Sequence, residues 1–211
     1  MLTSPDSSLV IDSLGDEVRG QPHAVACFYF DFGARNEQTP ANMLGSLLKQ
    51  IVGGLDRIPE DIVQAFNDQK NVIGGRGLRV PEIVKMLQTA TCSRRTFICV
   101  DALDECAEKH RPEVLGSLKE ILEKSEGARI FITGRRHICG EIGRHLPGKV
   151  SMVPIKPNNE DIRGYIRMRL SQDASRSTID SDSYLEADMT KSLAENIPES
   201  YASNIIIVSL Y

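Results

Sequence analysis

The stretch Thr96-Phe97-Ile98-Cys99-Val100-Asp101-Ala102-Leu103-Asp104-Glu105 constrains the fold more than any other part of the chain. A short apolar run of this kind suits a strand covered on both faces, as in a parallel sheet. It ends in three carboxylates within five residues, and ligands of open α/β sheets bind beyond the carboxyl ends of their strands. The run therefore predicts a buried strand that delivers Asp101 to a sheet edge, with Asp104 and Glu105 one turn further on.

The flanking sequence has the rhythm such a strand needs. Ala24 to Phe30 is a second apolar run, ending at Asp31, and Ala128 to Thr133 is a third, ending in Gly134-Arg135-Arg136. Val150 to Ile155 is a fourth. Between them lie helical periods: from Thr39-Pro40, a side-chain cap with proline in the first turn, to Gly53-Gly54; from Pro59; from Pro81; and from Pro112 to Gly127. Leu9, Val10 and Leu14 predict a helix near the start, after an unstructured 1–6. Asn158 predicts a capped helix to about residue 170. Strands alternating with helices give an α/β fold built on a parallel, doubly wound sheet.

The remainder is less regular. Residues 171–183 are rich in Ser and Asp and read as a flexible loop or linker, 184–198 as a helix, and 199–211 as an atypical apolar tail carrying Ile205-Ile206-Ile207-Val208. The tail is expected to dock as an edge strand or to remain a sticky segment. The glycine-rich Gly74-Gly75-Arg76-Gly77 reads as an interhelical loop, since no strand precedes it and no Lys-Ser or Lys-Thr follows.

Composition narrows the function. A formal net charge of -4 argues against nucleic acid and against an anionic membrane surface as partners. Five cysteines without a CxxC pair do not form a disulfide framework and fit a reducing, cytoplasmic location. Cys106 and His110 have helical i, i+4 spacing but lack a second ligand pair, so a partly exposed thiol and a surface histidine are expected in place of a zinc site. No apolar run reaches the ~18 residues of a membrane span.

Within a parallel α/β fold, Asp101 followed by Asp104-Glu105 has the chemistry of a Walker B element. The first acid holds magnesium, usually through water, and a following acid polarises the water that attacks a γ-phosphate. Thr133 and Arg135, at the end of the next strand, supply a hydroxyl and a guanidinium within reach of phosphate oxygens. The structural alternative is that the acids open the next turn and pair with Arg135-Arg136.

Phe28-Tyr29-Phe30-Asp31-Phe32, then Val100-Asp101-Ala102-Leu103-Asp104-Glu105-Cys106, then Thr133-Gly134-Arg135, then Asn159 to Ile166, resembles the NACHT-type nucleotide-binding domain of fungal STAND proteins, the nephrocystin-like group. The likeness runs over about residues 7–195, with 7–170 as a partial nucleotide-binding domain. It implies a P-loop NTPase-like three-layer fold, magnesium and ATP as cofactors, and a ligand-driven oligomerisation switch. Relatives carry ankyrin or WD repeats and take part in non-self recognition, including heterokaryon incompatibility. It further implies Asp101 as the magnesium acid, Asp104 and Glu105 as the catalytic acids, and Arg135 with Thr133 as sensor-like cofactor contacts.

One departure weighs against activity. No Gly-Lys-Ser or Gly-Lys-Thr occurs, and Gly148-Lys149-Val150 is the sole Gly-Lys pair. The resemblance places the missing Walker A strand between 128–133 and 149–155. The expectation is thus an incomplete fold, with 149–155 sliding across to pair with 128–133 or fraying. The expected function is a degenerate module that binds no cofactor tightly, does not hydrolyse ATP and so is expected not to be an enzyme, and acts through protein partners, itself or longer relatives, using two open sheet edges and the tail. The alternatives are a magnesium-dependent NTPase switch whose Walker A was lost from a truncated gene model, and a decayed product without function.

Overall fold

The computed structural model describes residues 23–70, 77–92, 94–146, 149–155, 164 and 203–209. The helices expected at 9–20, 158–170 and 184–198, the start at 1–6, the linker at 171–183 and Gly74-Gly75-Arg76 lie outside these residues, Gly164 apart.

The chain order is β1 (His23–Tyr29), α1 (Pro40–Gly53), α2 (Glu60–Lys70), α3 (Val80–Cys92), β2 (Arg95–Asp101), α4 (Arg111–Lys124), β3 (Ala128–Arg135), α5 (Cys139–His145), β4 (Lys149–Ile155) and β5 (Ser203–Ser209). Single 3-10 turns follow three of the strands, at Phe32–Ala34, Leu103–Glu105 and Arg136–Ile138. The proline-started helices begin where the sequence places them, within one residue. Helix α5 was not anticipated, because its seven residues, with Gly140 and Gly143, are too few to display a period.

β1, β2 and β3 are parallel neighbours, which makes the fold α/β with a parallel sheet at its centre. Alternation along the strands turns Ala26, Ile98, Val100, Ile130 and Ile132 toward a core completed by α1, α3 and α4. Met43, Leu44, Leu47, Leu48 and Ile51 form one continuous buried face of α1. Thr39 caps that helix, its hydroxyl accepting from the Asn42 N–H at 3.3 Å, and Pro40 fills the first turn. At the other end the Arg94 guanidinium donates to the carbonyls of Gly54, at 2.7 Å, and Ile51, placing positive charge on the negative end of the helix dipole.

Two expectations about the sheet are corrected. β4 neither frays nor pairs with β3; it pairs with β5. The tail neither forms an edge nor stays loose: β5 lies between β3 and β4 in the order β1-β2-β3-β5-β4, antiparallel to both. It therefore occupies the slot that the family resemblance assigns to the Walker A strand, running in the opposite direction. Only an apolar, β-prone segment can fill a sheet interior, and Ile205 to Val208 is such a segment.

The outer edge of β1 is not open either. Gln50 donates from Nε2 to the Cys27 carbonyl at 2.8 Å and accepts the Cys27 N–H at 2.9 Å. Gln38 repeats the arrangement two residues on, donating to the Tyr29 carbonyl at 2.9 Å and accepting the Asp31 N–H at 2.8 Å. Each glutamine amide mimics a neighbouring strand and so satisfies groups that would otherwise template pairing. The opposite edge, β4, carries the exposed Met152 and Val153, followed by Pro154, whose lack of an N–H suits an edge position.

Candidate functional site

The strand ends β1 to β3 bring the predicted site residues together at one sheet edge. In-register pairing of Val100 with Ile132 places Asp101 beside Thr133 on the same face. Both are buried. The Thr133 hydroxyl donates to Asp101 Oδ1 and accepts the Ala102 N–H at 2.9 Å, so one side chain satisfies a buried carboxylate and a turning backbone. Ala102 has φ 53 and ψ 46, a left-handed conformation that costs a residue with a Cβ about 1 kcal/mol. That reversal turns the chain off β2 into the Leu103–Glu105 turn and separates Asp104 and Glu105 from Asp101.

Asp104 is drawn toward β3. It accepts the Arg135 N–H at 3.1 Å, and its other oxygen lies 3.3 Å from Arg135 Nε. Asp104 is well buried while Arg135 is about half exposed at 49%, so the pair is an anchored acid under an arginine that reaches solvent. This is the structural alternative weighed from sequence. Gly134 makes the approach possible: a Cβ there would lie 2.6 Å from Ile138 Cδ1 and 3.3 Å from Asp104 Oδ1. Glu105 turns the other way and accepts the Phe32 N–H at 2.9 Å, tying the β2 end to the β1 end. The Phe30 N–H adds a backbone bond to the Asp101 carbonyl at 3.0 Å.

Each predicted acid thus has a partner inside the protein. Among the described residues, no three His, Cys, Asp or Glu side chains gather closely enough to hold a metal ion. Cys106 is buried, not partly exposed as its position suggested, and burial pushes its thiol up to about 11. Burial likewise pushes Cys99 up to about 12 and Tyr29, whose register partner is Asp101, up to about 12, with the charges of Cys27 and Asp101 adding to the Tyr29 shift.

Sequence reasoning missed the cavity beside these acids. It measures about 710 Å³ and is lined by the segments after β1, β2 and β3, including Phe32, Arg35, Lys109, Arg111, Arg135 and His137. Arg111 is buried at the first position of α4. An arginine just before Pro112 reads in the sequence as an ordinary helix start, and nothing local signals its burial.

No helix among the described residues is long and apolar enough to cross a membrane. Comparisons with curated proteins and with solved structures give no match. The family model described as Nephrocystin 3, N-terminal matches residues 6–135, more than half of the 211 residues and the whole span from β1 to the Arg135 end of β3, and the chain belongs to that family.

Proposed function

We propose that the chain is a degenerate NACHT-type nucleotide-binding module of a STAND signalling protein, acting through protein association and not through ATP hydrolysis. The observation that carries this reading is β5. The slot beside β3, where the family resemblance puts the strand leading into a phosphate loop, is filled by an antiparallel strand that enters from the opposite end. A phosphate loop works through consecutive backbone N–H groups at a helix N-terminus and through its lysine. An antiparallel strand in that slot delivers neither to the carboxyl end of the sheet.

The residues that are present do not fit a magnesium–nucleotide site on their own. Asp101 is the acid suited to magnesium, yet it is buried and one of its oxygens is taken by Thr133. Asp104 is committed to Arg135, and Glu105 to the Phe32 amide. These contacts stabilise the strand ends, which is a structural use of acids that the Walker B resemblance would assign to catalysis. Association, with a second copy or a longer relative, falls to the β4 edge with its exposed Met152 and Val153, since glutamines cover the β1 edge.

Calorimetric titration with ATP and magnesium tests the reading. The expected result is no saturable binding in the micromolar range. Micromolar, magnesium-dependent affinity overturns it and favours the NTPase alternative, which draws on the gathering of Asp101, Asp104, Glu105 and Arg135 at one sheet edge.

A further inference from the structure

We propose that the cavity over the ends of β1, β2 and β3 binds an oxyanion, a phosphate or carboxylate group borne by a small molecule, with Arg111 as its anchor. Arg111 is not among the residues that the nucleotide reading assigns, so the proposal does not depend on that reading.

Arg111 is only 6% exposed, and it lines the cavity. Burying a guanidinium is costly unless its charge is matched and its five N–H groups find acceptors. The charge is matched by Glu141 of α5, whose Oε2 lies 3.0 Å from Arg111 Nε. The donors are not all matched: Nε is buried and makes no hydrogen bond among the described residues despite that distance. A buried guanidinium paired with one carboxylate, with a donor left unsatisfied and lining a cavity, suits a phosphate or carboxylate taken bidentately. The N-terminus of the fourteen-residue α4, where Arg111 sits, adds its positive dipole end to the same space.

The rest of the lining is consistent with an anion. Asp104 is neutralised by Arg135, and Glu105 is turned onto a backbone amide, which leaves Glu108 at the exposed rim as the acid without a described partner. Against it stand Lys109 and Arg35, the latter placed 4.7 Å over the Phe32 ring by a cation–π contact. A cavity of about 710 Å³ is far larger than one oxyanion, so the group is expected to be carried on a larger molecule.

The test is an NMR titration of the full chain in magnesium-free buffer with inorganic phosphate and, separately, acetate, following the arginine side-chain N–H signals. Saturable shifts centred on Arg111 are expected; saturation by phosphate at lower concentration identifies a phosphate ester, and saturation by acetate a carboxylate. Arg111→Lys keeps the charge for Glu141 but loses the fork, and should weaken binding about tenfold. Arg35→Gln, on the exposed side of the cavity, should weaken it less and provides the comparison if Arg111→Lys does not fold. Shifts that fail to saturate with either anion, or variants that titrate like the parent chain, overturn the proposal.

Discussion

Thr133 shows how much can rest on one side chain. Its hydroxyl satisfies Asp101 and the N–H of the left-handed Ala102, two groups that would otherwise be left without a partner. Thr133→Val keeps the shape and removes both bonds, and leaving buried polar groups unsatisfied costs about 1–3 kcal/mol each. Urea unfolding should show a loss of that order, with Thr133→Ser recovering most of it; an unchanged midpoint would show that water satisfies Asp101 equally well. The buried thiols give a second prediction at this scale. Cys99 and Cys106 are raised from 9.0 to about 12 and about 11 by burial. A raised value means the folded protein keeps protons that the unfolded chain releases, so their contribution is fully present below pH 9 and is lost as pH rises toward 11 and 12. Stability should therefore fall across that alkaline window, and less steeply in Cys99→Ala than in the parent after allowing for the cavity. At pH 8 mass spectrometry should find alkylation at the exposed Cys92 first.

Single elements carry their own start, stop and edge instructions. Thr39→Ala removes the cap of α1 and should cost about 1 kcal/mol, measurable as a lower thermal midpoint. The start of α1 was legible because Thr39-Pro40 and the apolar positions that follow are local signals. The glutamine clamps on β1 were not, since Gln38 and Gln50 are ordinary polar residues until the fold places their amides against Cys27, Tyr29 and Asp31. Gln50→Ala exposes the Cys27 N–H and carbonyl at a sheet edge, and concentration-dependent association in sedimentation experiments is the expected consequence. A Gln50→Ala chain with the same sedimentation behaviour as the parent would show that the edge is protected by other means.

Across the whole molecule, β5 holds the sheet's far side in place. β4 has no strand neighbour other than β5 among the described residues, so deletion of 203–211 removes the sole ladder joining β4 to the rest. In that deletion, amide exchange over 149–155 should become fast while 95–101 stays protected, and the bared edge of β3 should promote aggregation. Protection of 149–155 that survives the deletion would mean that β4 can slide onto β3, as its sequence permits.

By itself the sequence determined the parallel centre, the helices that cover it and the sheet edge at which Asp101, Asp104, Glu105, Thr133 and Arg135 meet. Those follow from short-range patterns: apolar runs of strand length, helical periods and the acids or arginine at a run's end. Tertiary structure alone decided how the acids are partnered, that Arg111 is buried, and that the tail enters the sheet beside β3. The reason is physical. An apolar run such as Ile205 to Val208 can pair with any strand of matching face, in either direction, and which slot it takes depends on which edge the rest of the fold leaves open.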